Sequence, residues 1–456
     1  MMIVFCCGML GCRTPPAAGP QAACCTCQPL ELQDNDRIMV LAPHPDDEAL
    51  AAGGLIQEAL ARGLPVKVVF LTNGDNNELS FMLYRKRPVL APAAVRAMGA
   101  VRQGEAVMAA AVLGLEPEHL VFLGYPDFGT MSIWEHHWGD VPPFRSMLTH
   151  VRAVTYNTAL RPGAPYRGEE ILKDLESVLR DFRPTLLLLS HPADFNPDHR
   201  ALYTFTRVAL WNLGDAMQPR LYSYLVHFKS WPLPRGYFPA HRILPPPDLI
   251  DGVDWHSLRL TPASTARKRE ALRQHASQYA YSAGFLDAFV SINEIFADVP
   301  PVFLTRKNDP VQALAVDATD DEAAPEMTPE ETREFLGIRN CFASVNDDYV
   351  TLTMEFGRPL TGMAQAELHF FGYRGDVPFA DMPKLIVRVG MTRMEVFDRN
   401  RRLPPAVVNI RRRARRLTVT IPMELAGQPQ RALVSARTHL DNLPLDWIAW
   451  RVLEFE

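Results

Sequence analysis

The sequence predicts an α/β protein with a mostly parallel sheet covered by helices on both faces, plus a smaller C-terminal all-β, sandwich-like domain. Three observations carry this. Short, continuously apolar runs alternate with helix-period stretches from residue 37 to 213. Runs without polar alternation suit strands buried on both faces, the habit of parallel sheets. Beyond an acidic, Ala/Pro-rich stretch at 317–332, alternating strands take over, separated by Gly, Pro and Asn turns, which is the pattern of an all-β unit.

Taken in order, Ile38-Met39-Val40-Leu41 opens the first strand, and 48–62 follows with helical spacing. The β-branched run Val66-Lys67-Val68-Val69-Phe70-Leu71-Thr72 is the second strand. An Ala/Met/Val-rich helix spans 93–113 and stops at Gly114, where a glycine suits the helix end. The remaining pairs are a strand at 119–124 with a helix at 169–181, and a strand at 185–190 with a helix at 198–213. A further strand at 221–227 and a helix at 264–288 complete the first unit. Strands of the second unit are expected at 349–356, 366–371, 384–389, 416–421, 432–436 and 447–455. The expected division is a leader and tether at 1–34, an α/β domain at 35–310, a linker at 311–332 and a β-rich domain at 333–456.

Between 128 and 167 the periodicity fades and aromatic and His residues accumulate: Trp134, His136, His137, Trp138, Tyr156 and Tyr166. A long loop inside a compact domain is usually functional, so a substrate-facing loop is expected. The plainer alternative is an insertion packed on the surface.

Composition excludes some classes. The chain has 456 residues, 47% of them hydrophobic, and a formal net charge of −5. An obligate nucleic-acid binder usually carries a basic face or a high pI, so none is expected as a partner. The run at 411–416, with five arginines, reads either as a polyanion patch or as a solvated strand edge. Six of the seven cysteines (Cys6, Cys7, Cys12, Cys24, Cys25, Cys27) fall within the first 27 residues, which leaves the body without thiolate ligands or a disulfide framework. The apolar start that ends at Gly11-Cys12 resembles a bacterial lipoprotein signal. It predicts export to the cell envelope with a lipid anchor at Cys12. A cytoplasmic enzyme with an irregular leader is the alternative.

Two stretches carry the chemistry. Pro43-His44-Pro45-Asp46-Asp47-Glu48 follows the first strand, and His191-Pro192-Ala193-Asp194-Phe195-Asn196-Pro197-Asp198-His199 follows the strand at 185–190. His44 and Asp47 are three residues apart across a strand-to-helix turn, so an imidazole nitrogen and a carboxylate oxygen can meet at one point. His199 supplies a third ligand. Two neutral nitrogens and one anionic oxygen suit Zn²⁺ with one position left open. The same set suits Fe²⁺. Metal binding brings the pKa of a bound water to about 7. Asp46 is then placed to take that water's proton and return it to a leaving amine. The competing reading is a hydrogen-bonded turn in which Asp caps the helix. Capping does not explain why the His and acid cluster recurs at a second strand end.

The first motif resembles the signature of the PIG-L / LmbE-like zinc-dependent N-acetylglucosaminyl deacetylases. Thr72-Asn73-Gly74-Asp75, Arg102 with Glu105, Leu123-Gly124-Tyr125-Pro126-Asp127, Pro197-Asp198-His199, and Lys268 with His275-Ala276-Ser277-Gln278 are similar to later segments of that family, in the family's order. The resemblance covers roughly residues 37–300. It implies a Rossmann-like fold, zinc on His44, Asp47 and His199, Asp46 as general base, and removal of an N-acetyl group from an amino sugar or glycan. One position departs. The family often has His three residues before the second metal His, and here that residue is Asn196. An amide can donate to a developing oxyanion but is not a proton donor. Either Asp46 carries both proton transfers, or His191 or His227 substitutes. Asp75, Arg102, Asp127 and His227 are expected to contact the substrate or shape its pocket, with a buried ion pair the alternative for Arg102. Hydrolysis of a non-sugar amide and a catalytically silent glycan-binding lipoprotein are the competing functions.

Overall fold

The computed structural model describes residues 27–76, 91–250, 252–306, 312–313, 327–441 and 443–456. The expected lipidation site at Cys12 and most of the expected linker lie outside the described residues. The first sheet contains β1 (Gln28–Pro29), β2 (Ile38–Ala42), β3 (Val66–Thr72), β4 (Leu120–Tyr125), β5 (Leu186–Ser190), β6 (Arg220–Tyr224), β7 (Asp254–Arg259) and β8 (Asn293–Asp298). Their order is β1-β7-β8-β6-β5-β2-β3-β4. The five strands β6, β5, β2, β3 and β4 run parallel, as the apolar runs predict. β8 is antiparallel to both β6 and β7.

Helices α1 (Asp47–Ala61), α2 (Pro92–Leu113), α3 (Thr130–His136), α4 (Gly168–Phe182), α5 (Pro197–Leu213), α6 (Pro262–Gln274) and α7 (Ala276–Asp287) surround the sheet. Successive side chains of a strand point to opposite faces. Val40, Val68 and Leu188 therefore join Leu55 of α1, Leu113 of α2 and Leu272 of α6 in one core. Leu41, Val69 and Leu187 join Leu175 of α4 and Phe205 of α5 in the other.

The chain order reverses between β2 and β5. From β2 the chain continues through α1 to β3 on one side; from β5 it continues through α5 to β6 on the other. Such a switch point opens a crevice at the carboxyl ends of the strands. Both motifs follow these two strands, so the topology brings them together.

The second unit is a sandwich. After β9 (Val302–Leu304), β10 (Gln312–Ala313) and helix α8 (Pro329–Glu334) come β11 (Ile338–Val345), β12 (Tyr349–Phe356), β13 (Gln365–Tyr373), β14 (Lys384–Val389), β15 (Met394–Asp398) and β16 (Arg401–Leu403). They are followed by β17 (Asn409–Arg413), β18 (Arg416–Pro422), β19 (Arg431–Leu440), β20 (Leu443–Trp447) and β21 (Arg451–Phe455). One sheet is β10-β11-β12-β18-β17; the other is β16-β15-β14-β13-β19-β21-β9, with β20 beside β19. Leu352, Met354 and Val419 of the first sheet close a core against Leu368, Phe370 and Val434 of the second. Alternate residues of the second sheet, Phe371, Ile386, Leu433 and Val452, face the other way and complete the core under α5.

Several sequence expectations change. Gln28–Pro29, assigned to the tether, pairs in parallel with β7, and Leu30 and Leu32 are buried in the first core. Val302–Leu304, assigned to the α/β domain, pairs with β21 of the sandwich. The helix expected at 264–288 is two helices, broken at His275 (φ −75°, ψ 57°). The strand expected at 447–455 is divided between β20 and β21, both paired with β19, with the buried residues 448–450 between them.

The aromatic segment at 128–167 is not a substrate platform. It contains α3, and Trp134, Trp138, Tyr156 and Tyr166 are all buried. Trp134 packs on Phe205 at 5.1 Å, Phe371 at 5.5 Å, Phe379 at 5.4 Å and Trp450 at 5.8 Å, between the two domains. The sandwich covers Trp134 and Trp138, which no local pattern reveals, while Tyr156 and Tyr166 pack within the α/β domain. Replacing Trp134 by Ala is expected to cost ~3–5 kcal/mol, the range for a fully buried large aromatic. Chemical denaturation read by near-UV circular dichroism checks this, and a loss below about 1 kcal/mol contradicts it.

Candidate active site

The turn after β2 is held from several sides. The Pro43 carbonyl accepts from both the N–H and the hydroxyl of Thr72 at 3.0 Å, which ties the ends of β2 and β3. Asp46 is the N-cap residue of α1 and has φ 128°, a conformation side chains rarely adopt and one that concentrates at functional sites. Its N–H donates to Glu48 Oε2 at 3.0 Å, and Glu48 Oε1 lies 3.0 Å from His275 Nε2. The break between α6 and α7 thus places a buried imidazole under this turn.

Arg102 comes from α2. It donates to the carbonyls of Gly74 at 2.9 Å and Pro45 at 2.7 Å, and its Nη2 is 3.4 Å from Asp46 Oδ2. It is a buried anchor for Asp46. Gly74 has φ 64°, and a Cβ there would collide with the Arg102 guanidinium, so both backbone and space demand glycine. Burial pushes the Asp46 carboxyl up to about 6, against the pull of Arg102 and with the push of Asp47.

His44, Asp47 and His199 converge. Asp47 Oδ2 lies 3.2 Å from His44 Nδ1 and 3.2 Å from His199 Nε2, and all three residues are buried. Two donors each about 2.0–2.1 Å from one ion in a four-coordinate site stand about 3.3 Å apart, so the spacing fits. The surroundings fit as well: four carboxylates, Asp47, Asp127, Asp194 and Asp198, face the two imidazoles. Burial alone would depress the His199 imidazole, but Asp194 and Asp47 hold it up, at about 9. Burial likewise works against a charged His44, and Asp127, Asp198 and Asp47 outweigh it. Asp47 is held well below the carboxylate range by His199 and His44, in spite of its burial. So much negative charge around paired imidazoles favours a cation.

Each imidazole is oriented from behind, by residues the motif reading did not single out. Asp194 Oδ2 is 3.1 Å from His199 Nδ1 and accepts the N–H groups of Val226 at 3.0 Å and His227 at 2.9 Å. Asp198 Oδ2 is 3.2 Å from His44 Nε2 and accepts the Phe128 N–H at 2.5 Å, while its Oδ1 accepts the N–H and hydroxyl of Thr130. A carboxylate on the far nitrogen fixes ring orientation and raises ligand basicity. The only local signal was two further acids inside 191–199. Replacing Asp194 by Ala is expected to weaken metal binding ~10–100-fold. Competition against a chromophoric chelator measures this, and unchanged affinity contradicts it.

The other predicted residues take distinct places. Asp127 Oδ1 is 3.1 Å from His44 Nε2 and its Oδ2 accepts the Asn76 N–H at 2.9 Å, so it belongs to the cluster. Asp75 accepts from the Tyr156 hydroxyl at 2.6 Å; burial, then the charge of Asp127, pushes it up to about 7. His227 Nδ1 lies 3.3 Å from Asp194 Oδ1, its ring stands edge-on to His199 at 4.8 Å, and its side chain is 37% exposed. Asn196 Oδ1 accepts the Asp198 N–H at 2.9 Å and caps α5. His191 is not brought into the cluster. Its Nδ1 accepts the Ala193 N–H at 3.1 Å, its ring stacks on Trp255 at 5.8 Å, and burial pushes it down to about 3. A neutral, stacked ring held this way positions the turn at the end of β5.

Fold and site together define an α/β protein with a candidate single-metal centre at its switch point. Residues 39–210 match the PIG-L family model, described as GlcNAc-PI de-N-acetylase. The chain is similar to a 1D-myo-inositol 2-acetamido-2-deoxy-alpha-D-glucopyranoside deacetylase of Corynebacterium glutamicum, 25% identical over 252 residues, covering 53% of this chain and 74% of that one. A protein of the same name from Saccharopolyspora erythraea is 31% identical over 191 residues, covering 40% and 56%. Among solved structures, N,N'-diacetylchitobiose deacetylase from Pyrococcus horikoshii aligns over 58% of this chain and 85% of its own, at 18% identity and a TM-score of 0.36. GalB, a 4-carboxy-2-hydroxymuconate hydratase from Pseudomonas putida, aligns over 59% and 98%, at 17% identity and a TM-score of 0.35.

Proposed function

We propose that this protein is a divalent-metal hydrolase that removes the N-acetyl group from an amino sugar or glycoconjugate. The observation that carries the reading is the shared Asp47 oxygen, 3.2 Å from an imidazole nitrogen on each side, with a second carboxylate, Asp46, on the adjoining residue. The names of the curated relatives support the acetamido-sugar substrate.

His44, Asp47 and His199 hold the ion, Zn²⁺ or Fe²⁺. Once bound, such an ion polarises an amide carbonyl and acidifies a water. Asp46 takes the proton of the attacking water and returns it to the leaving amine. Arg102 faces its carboxylate, and Glu48 holds its backbone N–H. The Asn196 carbonyl is committed to the α5 cap, so its amide nitrogen is the group that donates to the developing oxyanion. His227 sits on the solvent side of His199, where sugar hydroxyls arrive, and Asp75 and Asp127 shape the opposite wall.

Acetate release from N-acetylglucosamine conjugates tests this, before chelation, after it, and after the metal is restored. Release that stops and returns is expected. A metal-replete protein that releases no acetate from any amino-sugar amide contradicts the reading.

A further inference from the structure

One end of the sandwich carries a surface that the proposed chemistry does not use. Between residues 385 and 416 the chain has ten arginines, no lysine and two acids, Glu395 and Asp398, in a protein whose net charge is −5. The structure gathers the 411–416 run beside the β14–β15 turn. β17 and β16 are edge strands of the two different sheets. Arg412 on β17 donates to the carbonyls of Gly390 at 2.6 Å and Met391 at 2.8 Å, so the β17 edge meets the β14–β15 turn. Residues 411–416 are all exposed. Glu395 serves both Arg393 and Arg402, and Glu355 serves Arg416. Among the described residues, Arg401, Arg411, Arg413 and Arg415 have no carboxylate within ion-pair distance.

The same end exposes three methionines. Met391 and Met394, at the β14–β15 turn, are 55% and 48% exposed. Met363 is 54% exposed, on the loop whose Leu360 N–H donates to the Ala414 carbonyl of the β17–β18 turn at 3.3 Å. Exposed, flexible apolar side chains beside a run of exposed guanidinium groups combine two complementary attractions. Arginine forks bind phosphate oxygens, and apolar side chains gain by entering the acyl boundary. A nucleic acid or anionic polysaccharide would reward the arginines but not the methionines.

We infer that this end of the sandwich is a docking surface for an anionic lipid bilayer, with the arginines on the headgroup phosphates and Met363, Met391 and Met394 inserted between them. The inference is independent of the deacetylase reading.

Co-sedimentation of the full chain with phosphatidylcholine vesicles, with and without phosphatidylglycerol, tests it. Binding is expected only with the anionic lipid. The Arg411→Glu/Arg413→Glu/Arg415→Glu variant should lower the partition coefficient at least about tenfold. The Met391→Asp/Met394→Asp variant should lower it also, although its arginines are intact. All substituted side chains are exposed, and an unchanged unfolding midpoint shows that the variants fold. Failure of the wild-type chain to bind anionic vesicles overturns the inference. So does equal binding by the arginine variant, or a methionine variant that binds like wild type while RNA or heparin displaces both.

Discussion

Asp46→Asn is expected to lower acetate release by ~10²–10⁴-fold, the range for a positioned proton-transfer group, while the protein keeps its metal and its fold. The substitution preserves size and the capacity to sit at φ 128°, since Asn tolerates unusual backbone conformations. It preserves the N–H donated to Glu48. It removes the ability to accept a proton, together with the charge that faces Arg102. Asn196 makes the loss severe, because an amide stands where the family often has a histidine. A steady-state comparison with metal content measured on the same samples checks this. A loss of less than about fivefold would mean that another group moves the proton.

Asp47→Ala is expected to abolish metal retention and activity together. Its Oδ2 lies 3.2 Å from a nitrogen of each candidate imidazole ligand. Removing it deletes a ligand and one of the four carboxylates whose charge favours a cation. The drop in affinity should exceed the ~10–100-fold of an outer partner such as Asp194. Equilibrium dialysis with Zn²⁺ measures it. Because Asp47 lies in the first turn of α1 and accepts the His44 N–H at 2.9 Å, thermal unfolding of the metal-free proteins should accompany the test. A variant that unfolds far earlier than metal-free wild type would mark Asp47 as a structural cap instead.

Much of this was legible in the chain. Four strands of the parallel sheet, β2, β3, β4 and β5, were visible as apolar runs because burial on both faces removes polar residues from a strand. The three candidate ligands were visible because His44-Pro45-Asp46-Asp47 and Pro197-Asp198-His199 stand at strand ends, where the switch point gathers them. What was hidden depends on contacts distant in sequence. Asp194 and Asp198 stand beside the candidate ligands in the chain, and only the fold sets them behind His199 and His44. His275 read as one position of a long helix, but its bond to Glu48 coincides with the helix break. β7 and β8 carry mixed polar residues, such as Asp254-Trp255-His256-Ser257, and gave no strand pattern. Trp134 and Trp138 resembled a ligand platform because only the sandwich, more than 200 residues later in the chain, shows what covers them. The arginines at 411–416 read in the chain either as a patch or as a strand edge, and the exposed methionines near them lie apart in sequence, at 363, 391 and 394.

The central claim is a division of labour between adjacent carboxylates: Asp47 holds the ion and Asp46 moves the proton. Metal stoichiometry by plasma emission spectroscopy on wild type, Asp46→Asn and Asp47→Ala, purified side by side, tests it most directly. The account predicts one ion per chain in wild type and in the inactive Asp46→Asn protein, and none in Asp47→Ala. An Asp47→Ala protein that keeps its ion, or an Asp46→Asn protein that loses it, would contradict the account.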